Sequence, residues 1–255
     1  MKSNTKTSGL KKTAAPKHAA APKHTASEFV EELTFLATQK ISKNSKFFSD
    51  DNPDNKFLGV RMANIFLLAK HHIQMPVEEI QKLLNSEYYE VRMGGVSIMD
   101  YQARNKKITE EQKKILYNLY IKNHDRINNW DMVDRSAPFI VGGYLFDKSR
   151  APLYKLAKSK NTWERRTAIV STYFFIRQND LEDTFKIAEI LVNDKHDLIN
   201  KAVGSWVREA GKRDEARLLG FLDKYGKTMP RVTLRYAIEK LDSNVKKKYM
   251  AVKLD

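Results

Sequence analysis

The chain has 255 residues, of which 42% are hydrophobic and 30% charged, and this length suits one globular body. Its 10 glycines and 7 prolines are fewer than average, which disfavours turn-rich β-sandwiches and barrels and favours helices. The absence of cysteine excludes disulfides, thiolate metal sites and a cysteine nucleophile. Because 46 basic residues stand against 31 acidic ones, the net charge is +15, and we expect a polyanionic partner, nucleic acid ahead of an anionic membrane.

No apolar run approaches the length of about 18 residues that a membrane span requires. Residues 1–25 contain no apolar block that could serve as the core of a signal peptide. We therefore expect an intracellular, cytoplasmic protein that is not secreted and has no membrane partner.

Residues 1–25 combine lysine with alanine, proline, serine and threonine, and they contain a near repeat over 14–19 and 20–25. Six lysines and no acid precede Glu28, so this segment carries six of the fifteen excess positive charges. Such a composition cannot bury a core, and we predict a disordered basic tail over 1–25 and one folded domain over 26–255. Two roles stay open for the tail: weak attachment to DNA by counterion release, or a merely solubilising extension.

The folded domain carries the start signals of one helix after another, with almost no strand alternation. In chain order, the starts are predicted at Thr25 with Glu28, Pro76, Thr109 with Gln112, Asn161 with Glu164, Asp180 and Asp197. Gly211 and Gly226 are predicted helix stops. The last apolar stripe contains Leu234, Ala237, Ile238 and Leu241.

Arginines recur at comparable places, early in the predicted second helices of pairs, at an average spacing of roughly 35 residues. They are Arg61, Arg92, Arg135, Arg166, Arg208 and Arg235. This spacing is compatible with helix-pair repeats of the HEAT type, and we predict an all-α, right-handed α-solenoid of about six pairs. Basic residues along its concave groove would suit a curved polyanion such as duplex DNA.

The most unusual stretch is 128–138, which predicts a helix of about two turns between an N-cap at Asn128 and Pro138. Trp130 and Asp134 are four residues apart and project from the same helical face, where an indole beside a carboxylate is a usable catalytic pair. The alternative is structural: Trp130 packs in the core and Asp134 caps a helix or pairs with Arg135.

Several segments of the domain resemble the DNA alkylation repair family, the HEAT-like-repeat glycosylases that remove cationic N-alkylated purines. The similar segments, in the order and spacing of the family, are 57–61, 89–92, 130–134, 165–169, 201–204, 208–209 and 230–238. Each is weak alone, and together they are spread over most of the domain, from 57 to 238.

The resemblance implies a role for three residues: Asp134 as the catalytic carboxylate, Trp130 as the aromatic residue beside the lesion, and Arg166 as a contact to the DNA backbone. An alkylated purine is already cationic and leaves as a neutral base, so the family needs no strong general acid and no cofactor. The remaining work is to stabilise an oxocarbenium-like deoxyribose and to place a water. Family members are thought to do this from the backbone side, without a pocket for a flipped base.

The sequence departs from the family pattern at Trp206, which lies one residue later than the tryptophan that precedes the Arg-Glu pair in well-known members. On a regular helix this turns the indole by roughly 100°, so Trp206 either keeps a role in DNA binding or packs in the core. Trp163 has the same two alternatives, a flank of the DNA backbone site or packing against the preceding helix.

The other candidate functional residues give weaker signals. His71 and His72 are adjacent, point in different directions on a helix and have no ligand at a metal-binding spacing nearby, so we predict no metal site. Asp131 could form a carboxylate pair with Asp134, but we expect it to stabilise the helix N-terminus. The basic run 246–248 reads as a solvated face or a phosphate contact.

The function predicted from the sequence is a monofunctional DNA N-glycosylase for 3-methyladenine or 7-methylguanine type lesions in duplex DNA. We expect a monomer whose product passes to downstream base-excision-repair enzymes. One alternative is a non-catalytic HEAT-like protein that binds distorted duplex DNA, which the displaced Trp206 favours. Another is a protein–protein scaffold, the commonest use of helical repeats.

Overall fold

The computed structural model describes residues 24–37 and 55–251. Within these ranges the protein is all-α, as predicted, and the single β-type pairing is an isolated bridge between Lys56 and Tyr88. Of the predicted tail over 1–25, only His24 and Thr25 are described, so the expectation of disorder lies outside the described residues. In the described ranges, no helix is both long and apolar enough to cross a membrane.

The described helices follow one another with short connections. They are α1 (Ala26–Phe35), α2 (Met62–His71), α3 (Val77–Leu84), α4 (Tyr89–Ala103), α5 (Glu110–Lys122), α6 (Trp130–Ala137), α7 (Gly143–Leu145), α8 (Ala151–Ala157), α9 (Thr162–Arg177), α10 (Glu182–Leu191), α11 (Asp197–Gly211), α12 (Glu215–Tyr225), α13 (Arg231–Ala237) and α14 (Ser243–Ala251). A π-helical segment, Pro138–Gly142, joins α6 to α7.

The predicted capping residues begin their helices for the expected reason. Thr25 and Thr109 each form a capping box, in which the hydroxyl accepts from the N3 amide and the N3 side chain accepts from the amide of the threonine. The side chain of Asn161 accepts from two amides at the start of α9, and Pro76 precedes α3. These contacts use backbone N–H groups that have no partner within the helix.

The chain differs from the prediction after α6, where the helix does not end before Pro138. Pro138 has no N–H to donate, and the backbone continues through a wider π turn in which the Gly143 amide donates to the Pro138 carbonyl. The N-cap of α6 is Asn129 rather than Asn128. Arg208 lies late in α11 rather than early, and the basic run 246–248 forms part of α14, which the sequence did not predict.

Alternate helices form a row in which each packs on the next, in the order α2, α4, α6, α9, α11 and α13. Most of the other helices pack against this row, and contacts also join α1 to α3, α3 to α5 and α8 to α10. Helix α9 is central, because it packs against α6, the π-helical segment, α8, α10 and α11. The close approach of α11 to α13 depends on Gly204, where an added Cβ would meet the Thr233 carbonyl oxygen at 2.5 Å.

A buried polar cluster joins the end of α5 to α9. The Thr167 hydroxyl lies 3.0 Å from the Tyr120 hydroxyl and 3.2 Å from His124 Nε2, and the rings of Tyr120 and His124 meet edge to face. Burial lowers the pKa of His124 to about 4. The imidazole is therefore neutral in the folded protein at neutral pH.

We expect His124 to make folding sensitive to acid. In the unfolded chain an imidazole takes up its proton near pH 6.5, so between about pH 6.5 and 4 the unfolded state binds more protons and stability falls as the pH falls. Between pH 8 and pH 5 the free energy of unfolding of the parent should therefore drop by about 2 kcal/mol more than that of His124→Gln. Urea unfolding across this range measures the difference, and parallel curves would contradict it.

Candidate functional site

Helix α6 presents the two residues that the sequence selected for chemistry. Trp130 is its first residue and Asp134 lies one turn later, so both side chains project from the same face. Trp130 is half-buried against the core, which leaves part of the indole accessible to solvent. The geometry of an aromatic face beside a carboxylate is therefore present on one exposed edge of α6.

Asp134 is held by a bidentate ion pair with Arg166 of α9. Arg166 Nε donates to one carboxylate oxygen at 2.9 Å, and Nη2 donates to the other at 2.8 Å. The Arg166 side chain is 6% exposed and that of Asp134 is 26% exposed. Two parallel charge-assisted bonds fix the plane of the carboxylate, and its second lone pairs stay available on the exposed side.

The same guanidinium also reaches α11, because Arg166 Nη1 donates to the Leu198 carbonyl oxygen at 2.5 Å. Three of its five N–H groups are therefore used inside the protein. The resemblance implied a phosphate as the partner of Arg166, whereas the structure gives it Asp134 and a backbone carbonyl. Arg166 of α9 therefore links α6 and α11 at the position of Asp134.

Asp131 joins α6 to α4, whereas Asp134 joins α6 to α9. One of its oxygens accepts from the Met132 amide at 2.9 Å and from Asn129 Nδ2 at 2.8 Å, and the other accepts from the Tyr89 hydroxyl of α4. The first contact confirms the expected role at the helix N-terminus. Burial raises the pKa of Asp131, while these hydrogen bonds favour the ionised form. The carboxylate is thus occupied by the fold rather than shared with Asp134.

Two further residues of α4 hold the segments that flank the site. Glu90 accepts from the amides of Leu58 and Gly59 at 3.0 and 2.9 Å. Arg92 donates to the carbonyls of Ser86, Glu87 and Arg126 and to the side chains of Asn55 and Asn128. The sequence singled out Arg92 as one of the recurring arginines and the segment 89–92 as part of the resemblance. Its spacing from α6 gave no signal of these contacts.

These hydrogen bonds link the N-terminal halves of α4, α6, α9 and α11. The N-terminus of a helix carries partial positive charge, which favours an anion. Lys160 precedes α9 and Lys195 precedes α11, and both side chains are exposed. The edge that carries Trp130 and Asp134 is therefore flanked by exposed positive charge.

Trp206 lies between α9 and α11. Its Nε1–H donates to the Val170 carbonyl oxygen at 3.0 Å, and its ring packs at 6.0 Å from the ring of Tyr173. The indole is half-buried, and its polar group is used inside the protein. Trp206 therefore packs against α9 in the structure, as in the second of the two alternatives that the sequence left open.

Trp163 is in the core, with 5% of its surface exposed, and its ring meets the edge of His196 at 6.5 Å. It therefore packs between α9 and the start of α11, whereas the sequence offered the preceding helix as its packing partner. Of the five site residues predicted from the sequence, the structure brings Asp134 and Arg166 into direct contact. Trp130 lies one helical turn before Asp134 on the same face of α6.

The model of the family described as DNA alkylation repair enzyme matches residues 29–241, which is most of the chain. The chain belongs to the DNA alkylation repair enzyme family. Among solved structures, the family member described as "Predicted DNA alkylation repair enzyme from Enterococcus faecalis" is similar, with 14% sequence identity and a TM-score of 0.58. The match covers 81% of this chain and 100% of that one, and at this identity it shows the fold alone. A search of curated proteins gives no match.

We expect this family member to depend on the Asp134–Arg166 pair for stability. Asp134→Ala leaves a buried guanidinium without its carboxylate, and the free energy of unfolding should fall by about 2–3 kcal/mol. Lys186→Ala breaks an exposed pair with Glu182 in α10 and should cost less than about 1 kcal/mol. Urea unfolding of both variants measures the costs. Equal costs would show that the buried pair does not hold the helices.

Proposed function

We propose that this protein is a DNA N-glycosylase that hydrolyses the bond between deoxyribose and a cationic N-alkylated purine. The observation that carries the proposal is the carboxylate of Asp134, fixed by Arg166 one helical turn from the half-exposed ring of Trp130. Family membership and the net charge of +15 support DNA as the substrate.

In this mechanism the alkyl group activates the leaving base. A purine alkylated at N3 or N7 carries a positive charge, so breaking the glycosidic bond releases a neutral base and leaves positive charge on the sugar. Asp134 stabilises that oxocarbenium-like sugar electrostatically and orients the water that attacks it. The indole of Trp130 offers its electron-rich face to the same cation.

We assign Arg166 a positioning role rather than the phosphate contact that the resemblance implied. Its two parallel hydrogen bonds hold the Asp134 carboxylate, and its burial separates it from the surface on which a backbone would lie. Contacts to phosphate then come from the helix N-termini and from exposed cations such as Lys160 and Lys195.

The proposal includes the solenoid predicted from the sequence, with the helix N-termini and exposed cations along a basic concave groove. Such a groove admits a duplex from the backbone side and needs no deep pocket for a flipped base. The product would be an abasic site, which a downstream base-excision-repair enzyme must process. The chemistry requires no metal or cofactor at Asp134.

One observation favours the alternative of a non-catalytic protein that binds distorted DNA. The Trp206 indole packs between α9 and α11 and donates its N–H to the Val170 carbonyl oxygen, so this polar group is used inside the protein. Such a protein would keep the exposed lysines that bind DNA and would lack only the hydrolytic activity.

Release of free base from methylated duplex DNA tests the proposal. We expect the parent to release 3-methyladenine or 7-methylguanine, and Asp134→Asn to bind the same DNA but release it at least 100-fold more slowly, because the sugar cation loses its counter-charge. Liquid chromatography of the released bases measures the rate, and fluorescence anisotropy measures DNA binding.

Asp194→Asn is the matched control, because Arg165 holds Asp194 through a similar fork, at 2.7 and 3.3 Å. This variant weakens an ion pair whose arginine, Arg165, lies next to Arg166 on α9. It should keep the rate of base release near the parent value. A parent that binds duplex DNA and releases no base would sink the glycosylase proposal and support the non-catalytic binder.

A further inference from the structure

A cluster of histidine and carboxylate side chains lies where α1 meets the end of α2. Glu32 of α1 faces two adjacent histidines: Oε1 lies 3.3 Å from His72 Nε2, and Oε2 lies 4.0 Å from His71 Nδ1. One ligand atom from each of the three residues lies within 4.8 Å of the other two. The cluster is remote in sequence, since 40 residues separate Glu32 from His72.

These distances are close to those of a metal centre. With zinc–ligand bonds of about 2.0–2.1 Å, two ligands of a tetrahedral site lie about 3.3 Å apart. The contact between Glu32 and His72 already has this separation. The other contact needs a small movement of His71 and Glu32, whose side chains are 62% and 46% exposed and free to adjust.

A third histidine lies beside these three residues, outside the group whose ligand atoms lie within 4.8 Å of one another. The ring of His24, which precedes α1, lies 5.3 Å from the ring of His72 and 6.2 Å from that of His71. The ring of His72 also meets that of His71 edge to face, so the imidazoles are gathered at one end of α2.

We propose that Glu32, His71 and His72 form a binding site for zinc or a similar divalent transition metal. Two imidazoles and one carboxylate suit Zn²⁺, with water at the fourth position, whereas Mg²⁺ and Ca²⁺ prefer oxygen ligands. The metal would clamp α1 onto α2, across a connection of 26 residues between the two helices. This proposal replaces the expectation of no metal site, and it is independent of the proposed glycosylase, because α6 and α9 carry Asp134 and Arg166.

Zinc titration of the full chain tests the site. Protein free of any affinity tag is stripped with a chelator and titrated with Zn²⁺ in competition with a chromophoric chelator. The parent should bind one Zn²⁺ per chain, and Mg²⁺ should not compete. His71→Ala and Glu32→Gln should each bind Zn²⁺ at least tenfold more weakly, because each loses a ligand. Both positions are exposed enough for the variants to fold.

Two controls separate the site from nonspecific binding. Glu31→Gln changes the neighbouring exposed carboxylate of α1, which contacts Ser27, and should keep the parent affinity. His18→Ala removes a histidine of the tail and should also keep it. Zn²⁺ should raise the thermal unfolding midpoint of the parent and of Glu31→Gln but not that of His71→Ala. Equal zinc affinity in the parent, His71→Ala and Glu32→Gln, or a loss confined to His18→Ala, would overturn the proposal.

Discussion

The candidate site depends on a single ion pair, the fork of Arg166 onto the carboxylate of Asp134. A buried guanidinium is costly to leave unpaired, so the pair favours close approach of α6 and α9. The third bond, to the Leu198 carbonyl, adds α11 to the same junction. The placement of the Asp134 carboxylate and the contact of three helices therefore share one side chain, that of Arg166.

The opposite side of α6 is fixed independently. Asp131 accepts from the Tyr89 hydroxyl, and Arg92 reaches Asn128 just before the helix, so α4 holds the N-terminal end of α6. A short helix of eight residues would not keep its orientation alone, because isolated helices of this length are unstable in water. Contacts from α4 on one side and α9 on the other hold α6, and Trp130 lies at its partly exposed edge. The proposed site requires such support, because a preorganised carboxylate must be held in place before the substrate binds.

The sequence was sufficient where the cause is local. Thr25, Thr109 and Asn161 cap helices within three residues of themselves. The same kind of signal was wrong at Pro138, where the helical backbone continues through a π turn. The sequence was insufficient where partners are far apart. Arg166 and Asp134 are 32 residues apart, so no spacing rule connects them, and the resemblance pointed to a phosphate instead. His71 and His72 were set aside because no ligand stands nearby in sequence, yet Glu32 reaches them across the connection between α1 and α2.

In the proposed mechanism, Arg166 acts through Asp134. The most direct test is to measure the single-turnover release of 7-methylguanine by Arg166→Gln, with the enzyme in saturating excess over methylated duplex DNA. Saturation removes any effect of weaker DNA binding, so the observed rate reports the chemical step alone. The account predicts a rate at least tenfold below that of the parent, since a misplaced carboxylate no longer faces the sugar. A rate equal to that of the parent at saturation, with only the DNA affinity reduced, would contradict this account. It would support the role implied by the resemblance, in which Arg166 contacts the DNA backbone.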